Sequence, residues 1–201
     1  MRKVVHVLLI VLVTLAGLAA AALLYVRSTG LVARSAPGSL ETGLARRVRS
    51  LAIPAGVSEQ RNPIPRSPES LADGRAHYAD HCVVCHAADG SGTTEMGQGL
   101  WPKAPDMRLP ATQALSDGDL FWIIENGIRF TGMPGWGTGT QEGANASWHL
   151  VHFIRHLPDI SPAELEGIEA LTPRSPADIR QEIEAERFLE GGDPPPPAHE
   201  H

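Results

Sequence analysis

The chain contains only two cysteines, and a histidine follows the second: residues 82–86 have the sequence CVVCH. This spacing places both sulfurs on one side of a single helical turn. Each thiol can then add to one vinyl group of a porphyrin, while His86 ligates the iron. A Cys-x-x-Cys pair alone also fits a redox dithiol or half of a zinc site, but the adjacent histidine favours covalent haem attachment. We therefore predict one covalent haem c, bound by Cys82, Cys85 and His86, and no disulfide.

Composition and charge are those of one modest domain with extensions. The chain has 201 residues, of which 5% are aromatic, with 17 Pro and 20 Gly, so a small, loop-rich core is expected. The net charge of −6 divides unevenly: beyond the first 26 residues, residues 27–68 carry +5, residues 69–156 carry −5 and residues 157–201 carry −8. The basic part is short and broken by prolines, so we expect no nucleic-acid partner.

Residues 4–26 form an apolar stretch that contains no Asp, Glu, Lys or Arg. As a helix this stretch reaches about 34 Å, and a bilayer core is about 30 Å thick. A membrane anchor and a signal peptide cleaved near residues 20–22 both fit, and the length of the stretch favours the anchor. We assign residues 1–27 to this anchor or signal segment. Basic residues lie on both sides of it, so they do not decide its orientation.

The region that follows, residues 28–68, is rich in proline and arginine and is expected to be a tether. Within it, residues 40–53 have the apolar periodicity of a short amphipathic helix. Three surroundings are open for that helix: anionic lipid, the domain that follows, or solvent.

Capping signals predict helices through the rest of the chain. A Ser-Pro pair at residues 67–68 starts a first core helix, Ser116 caps a second, and a third is expected from Ala146 to Leu157. Two more Ser-Pro pairs predict short helices that end near residues 171 and 189. We therefore expect an acidic helical extension over residues 159–190 and a disordered tail over residues 191–201.

A second iron ligand is expected on the opposite face of the haem, and three methionines are candidates. Met96 lies only ten residues past His86, in a loop near the proximal side, and Met107 lies in a proline-rich stretch without a helix to position it. Met133 follows a predicted helix, within the sequence TGMPGW at residues 131–136. Its flanking glycines allow close backbone approach and the following proline stiffens the loop, so Met133 is favoured.

Taken together, these features resemble the class I c-type cytochromes over residues 69–158. The residues that carry the resemblance are Gly74, Tyr78, Cys82, Cys85, His86, Met133 and the helix at residues 147–154. The resemblance implies an all-α fold, with a cytochrome c-like haem domain of three core helices at residues 69–158. It also implies His86 and Met133 as the axial ligands.

Two further details follow from the resemblance. The glycine and the aromatic residue of the first core helix are expected to cross the last one at close range, opposite Phe153 or Trp148. The carbonyl of Pro102 or Pro105 is expected to accept a hydrogen bond from His86.

The function implied by the resemblance is one-electron transfer by a monohaem c-type cytochrome, not catalysis, and no catalytic residue stands out. Bacteria attach haem to this motif outside the cytoplasmic membrane, so the resemblance implies a single-pass protein of the inner membrane with its haem domain in the periplasm. The expected partners are periplasmic or membrane redox proteins. Two alternatives remain open: a haem subunit of a larger periplasmic oxidoreductase or respiratory complex, which the extra helices favour, and a gas sensor in which the gas displaces Met133.

Histidines at three neighbouring helical positions, His149, His152 and His156, form a stripe on the third core helix. Together with His77 or His81 they are a candidate metal site. The sequence suggests no acidic partners for them, so we expect ordinary surface histidines.

Overall fold

The computed structural model describes residues 2–30, 32–33, 35, 37–173 and 176–191. The described residues contain helices and no strand, so the predicted all-α fold is confirmed. The α-helices are α1 (Arg2–Thr29), α2 (Ser39–Ala52), α3 (Pro68–His81), α4 (Val83–His86), α5 (Glu95–Gly99), α6 (Pro110–Gln113), α7 (Asp117–Asn126), α8 (Gln141–His156), α9 (Pro162–Leu171) and α10 (Pro176–Leu189). Single turns of 3₁₀ helix lie at Val57–Glu59 and Leu157–Asp159. The chain divides into two compact units, Met1–Pro37 and Gly38–His201.

The first unit consists mainly of α1, which contains the predicted apolar stretch. Its 28 residues reach about 42 Å. By length and composition, α1 is the one described helix that is able to cross a membrane. Its side chains are exposed all the way round, a pattern expected of a helix surrounded by lipid.

The second unit is built on the crossing of α3 and α8. Gly74 lies at the crossing point, where a Cβ atom would overlap the backbone carbonyl of His149. One turn further along α3, the buried ring of Tyr78 lies 5.1 Å from the buried ring of Phe153. Of the two aromatic residues expected here, Phe153 is therefore the one that faces the first core helix.

Helix α7 packs against α8 and completes the three-helix core. Leu120 and Ile124 are buried in this interface. Phe121 stacks on Trp148 with 4.1 Å between ring centroids and 7° between ring planes. Ser116 caps α7 as predicted, since its hydroxyl accepts a hydrogen bond from the Asp119 N–H.

Helix α8 begins at Gln141, five residues before the predicted start at Ala146. Thr140 is the N-cap, and its hydroxyl accepts a hydrogen bond from the Gly143 N–H at 3.1 Å. The prediction was wrong because a glycine and an asparagine in the first two turns lower the helix propensity without preventing the helix.

Part of the predicted tether at residues 28–68 contacts the core helices. The side-chain amide of Asn62 donates to the Trp148 carbonyl at 2.9 Å. His152 Nε2 donates to the Ile64 carbonyl at 2.7 Å. The boundaries of the tether stay a prediction, but the segment just before α3 is attached to the domain.

Helix α9 packs on α3, where Ile168 is fully buried. A capping box joins Ser161 and Glu164 at its start. Glu164 also accepts a hydrogen bond of 2.7 Å from His156 Nε2 at the end of α8. The first helix of the predicted acidic extension therefore contributes to the core.

Helix α10 ends at Leu189, as predicted. Its predicted cap, Ser175, lies outside the described residues, and so does the predicted disordered tail from residue 192 onward.

Replacing Gly74 with alanine should destabilise the domain by about 1–3 kcal/mol, because the new methyl group has to displace the backbone of α8. Urea unfolding of the solubilised protein measures this. Gly167→Ala is the matched control: its Cβ would have its nearest neighbour at 3.7 Å, so higher helix propensity should stabilise α9 by up to about 1 kcal/mol. Equal effects of the two substitutions would contradict the close crossing.

Acid should weaken the attachment of α9. Hydrogen bonds from the Ser161 backbone N–H, from its hydroxyl and from His156 lower the pKa of Glu164 from 4.5 to about 2, against an opposing effect of burial. Because the folded pKa is the lower one, this stabilisation is complete above pH 4.5 and is lost as the pH falls towards 2. Glu164→Gln should therefore lower the urea midpoint of unfolding at pH 6. Between pH 4.5 and 2, the midpoint of this variant should decrease less with falling pH than the midpoint of the wild type. Glu166→Gln, a change at an exposed residue of the same helix, should retain the wild-type pH profile.

Candidate haem-binding site

The CVVCH motif begins at the C-terminal end of α3 and includes the short helix α4. Cys82 ends α3, and its N–H donates to the Tyr78 carbonyl at 2.9 Å. The N–H of His86 donates in turn to the Cys82 carbonyl at 2.9 Å. A single helical turn thus carries Cys82, Cys85 and His86, as the spacing predicts.

The two thiols are protonated near neutral pH. Burial, with a smaller contribution from Cys85, raises the pKa of Cys82 to about 12, and burial also raises the pKa of Cys85. A redox dithiol requires the opposite shift, because the thiolate is the reactive form. Among the described residues no group of three or more His, Cys, Asp or Glu side chains is placed to hold a metal ion. The raised pKa values disfavour the redox dithiol as an alternative to haem attachment.

The imidazole of His86 lies largely inside the protein. Its Nδ1 atom is buried and has no hydrogen-bond partner of ordinary geometry. Burial lowers the pKa of His86, and the backbone of Pro105 raises it by a smaller amount. Of the two prolines named above, Pro105 is thus the one whose backbone lies beside the imidazole.

Tyr78 fixes the backbone directly after His86. Its hydroxyl donates to the Ala87 carbonyl at 2.8 Å, and burial raises the pKa of the phenol, so it remains a donor. Ala87 has a φ of 61°, a conformation that costs energy for a residue with a Cβ atom. The core residue next to the helix crossing therefore holds the strained turn at the motif.

Thr94 stabilises the other end of the motif. Its hydroxyl lies 2.8 Å from the Val84 carbonyl and 3.2 Å from the Cys85 carbonyl, and it accepts a hydrogen bond from the Gly97 N–H. The sequence analysis placed Met96 in a loop, whereas the structure has the helix α5 here. The signal that could have identified it is Thr94 followed by Glu95, a common start of a helix.

The three candidate methionines occupy different environments. Met107 is buried in the hydrophobic core, and its backbone N–H donates to the Gly90 carbonyl at 2.8 Å. Met96 lies on α5, with 55% of its surface exposed. Met133 lies in the loop between α7 and α8 and is half-buried.

Internal hydrogen bonds close the loop that carries Met133. The Ile128 N–H donates to the Met133 carbonyl at 3.1 Å. The Thr131 hydroxyl donates to the Ile128 carbonyl and accepts from the Met133 N–H. Beyond the loop, the Trp136 N–H donates to the Ile124 carbonyl at 2.8 Å. The backbone around Met133 is therefore fixed to the end of α7.

Two contacts hold this loop beside the segments that flank the motif. The indole of Trp136 stacks on His81, the residue before Cys82, with 4.8 Å between ring centroids. On the other flank, Leu100 packs on Gly132, where an added Cβ would lie 2.6 Å from a leucine methyl carbon. No pattern in the sequence indicated either pairing.

The residues of this region fit a c-type haem. Two thiols, an imidazole and a thioether are the donors that such a group takes. Large apolar side chains near the motif and the Met133 loop are exposed: Val84, Met96, Phe130 and Trp136. Apolar surface of this kind is stabilised when a flat, apolar ring system covers it.

The three histidines of the stripe on α8 each contact a different partner. His149 lies 3.5 Å from Asp73, His156 donates to Glu164, and His152 donates to a backbone carbonyl. The expectation that acidic partners are lacking was wrong for two of the three. Among the described residues, the stripe does not form a shared metal site.

Comparison with known proteins gives one family match. Residues 69–154 match the family described as cytochrome C oxidase, cbb3-type, subunit III. The match covers less than half of the chain and runs from α3, through the CVVCH motif and the Met133 loop, into α8. No curated protein matches the chain.

Proposed function

Residues 69–154 form a c-type cytochrome domain, and we propose that this domain carries one covalent haem c and transfers single electrons at a membrane. The bound haem supplies an iron that alternates between the ferric and ferrous states. One observation carries the proposal: the loop with Met133 is held beside the CVVCH segment, by Trp136 on His81 and by Leu100 on Gly132.

Four residues have assigned roles in holding the haem. Cys82 and Cys85 would hold the haem covalently through their sulfur atoms. His86 and Met133 would hold its iron through an imidazole nitrogen and a thioether sulfur. A thioether favours ferrous iron more than a second imidazole does, so this ligand pair raises the reduction potential.

The surrounding hydrogen bonds limit movement of these ligands. Tyr78 restrains the turn after His86, and Thr131 restrains the backbone at Met133. Rigid ligands favour fast electron transfer because little of the protein has to rearrange when the charge changes. If His86 and Met133 both held the iron, no position would remain open for a substrate, so the proposed role is that of a carrier and not of an enzyme.

Helix α1 is proposed as an uncleaved anchor, and the cytochrome domain is proposed to lie on the periplasmic side of a bacterial inner membrane. The length and composition of α1 support the anchor. The similarity to c-type cytochromes supports the side of the membrane, since bacteria attach haem to CVVCH-type sequences outside the cytoplasm.

Met133→Ala should abolish the weak near-infrared absorption band of the ferric protein that arises from sulfur-to-iron charge transfer. Met96→Ala is the matched control, because Met96 is exposed on α5 and its loss should leave the band unchanged. Survival of the band in Met133→Ala, with its loss in Met96→Ala, would reassign the distal ligand. In both variants the haem should remain on the chain in a denaturing gel, since the thioether bonds are untouched.

A second candidate function is that of a haem subunit in a larger periplasmic oxidoreductase or respiratory complex. The family that matches is described as a subunit of an oxidase. Helix α10, beyond the matched segment, also favours it, since α10 adds length that a free carrier does not need.

Affinity purification from native membranes in mild detergent distinguishes the two functions. A free carrier should be recovered alone, whereas a subunit should bring a catalytic chain with it in a fixed ratio. Removing residues 176–201 from the tagged chain should leave a free carrier unchanged. If α10 holds the partner, the same truncation should release the catalytic chain while the haem stays bound.

A further inference from the structure

Helix α2 carries an apolar stripe that is exposed to solvent. Leu40, Leu44, Val48 and Leu51 fall within an arc of about 80° at 100° per residue. Between 56% and 86% of the surface of each of these side chains is exposed. A helix on the surface of a domain normally turns such a stripe towards the core.

The side of α2 that faces the domain is the polar one. Thr42 and Arg49, about 150° from the middle of the stripe, are its partly buried residues. Arg49 lies close enough to Asp119 for the two charges to interact, and Asp119 also accepts a hydrogen bond of 2.6 Å from the Ser58 hydroxyl. The stripe therefore points away from its own compact unit and requires an apolar partner outside it.

Charge and chain length identify that partner. The helix carries three arginines and a single acidic residue, Glu41, so its net charge is positive, and one of the arginines, Arg47, borders the stripe and is complementary to an anionic surface. Only nine residues separate the end of α1 from the start of α2, which allows a reach of at most about 35 Å. When α1 spans a bilayer, α2 begins within that distance of its surface.

We propose that α2 lies in the surface of the membrane that α1 crosses, with its stripe inserted at the boundary of the acyl chains. Arg47, which borders the stripe, then meets the headgroups of anionic phospholipids. Arg49 on the polar side of α2 lies near Asp119 at the start of α7, so this part of the cytochrome domain is the part nearest the lipid. The assignment rests on the anchor role of α1 proposed above.

Spin labels on single introduced cysteines test the assignment in the full-length, haem-loaded chain, whose natural cysteines are bound to haem. Leu44→Cys is labelled in the stripe, and Ser50→Cys is the matched control on the exposed polar side of the same helix. The chains are reconstituted in nanodiscs of phosphatidylethanolamine and phosphatidylglycerol. The label at position 44 should be accessible to oxygen and protected from a water-soluble nickel chelate, while the label at position 50 should be accessible to the chelate.

Two results would overturn the lipid assignment. Equal access of the nickel chelate to both labels would show that the stripe stays in water. Protection of the label at position 44 from oxygen and chelate alike would show that a protein surface covers the stripe instead.

The charge requirement has its own test. Arg47→Gln should reduce the ratio of inserted to water-exposed label at position 44 about fivefold, since one arginine near an anionic surface contributes about that factor. Arg61→Gln removes the same charge from an exposed residue outside α2 and should leave the ratio unchanged. Equal ratios in the labelled chain and in its Arg47→Gln and Arg61→Gln variants would overturn the role of anionic lipid. An unchanged ratio when the labelled chain is moved to discs of phosphatidylcholine alone would overturn it as well.

Alkaline carbonate treatment of native membranes separates failure of this assignment from failure of the anchor. Release of the chain by carbonate would overturn the anchor role of α1 and, with it, the premise for α2. A chain that stays in the membrane while its stripe remains accessible to the chelate would overturn the assignment of α2 alone.

Discussion

The close crossing of α3 and α8 at Gly74 is the constraint on which the rest of the domain depends. Because no side chain separates the two backbones there, Tyr78 enters the core against Phe153. The same tyrosine reaches out of the core with its hydroxyl and holds Ala87, directly after His86. One side chain thus connects the packing of two helices to the geometry of the haem-attachment motif.

The proposed ligands come from segments that are far apart in the chain, so their relative position depends on tertiary contacts. Helix α7 fixes the start of the Met133 loop through hydrogen bonds, and Trp136 fixes its end against His81. Leu100 packs against the same loop at Gly132. Such an arrangement suits a redox site, because the contacts that position each ligand are made by protein groups that do not change charge with the iron.

Local sequence signals predicted the local features well. The serine caps at residues 67, 116 and 161 mark the starts of three helices, because a side-chain hydroxyl that satisfies a free N–H acts within one turn. The start of α8 was missed, since glycine and asparagine obscured the cap at Thr140. The Trp136–His81 stack and the outward stripe of α2 depend on which surfaces meet in three dimensions, which no local pattern encodes.

The short connection between α1 and α2 has a consequence for encounter rates. With α1 in a bilayer, the nine intervening residues keep the start of α2 within about 35 Å of the lipid surface. A redox partner in the same membrane then meets the chain more often than a partner that diffuses freely in solution. Under these conditions the docking interface is free to be weak, and rapid dissociation after each electron does not lower the turnover of the pair.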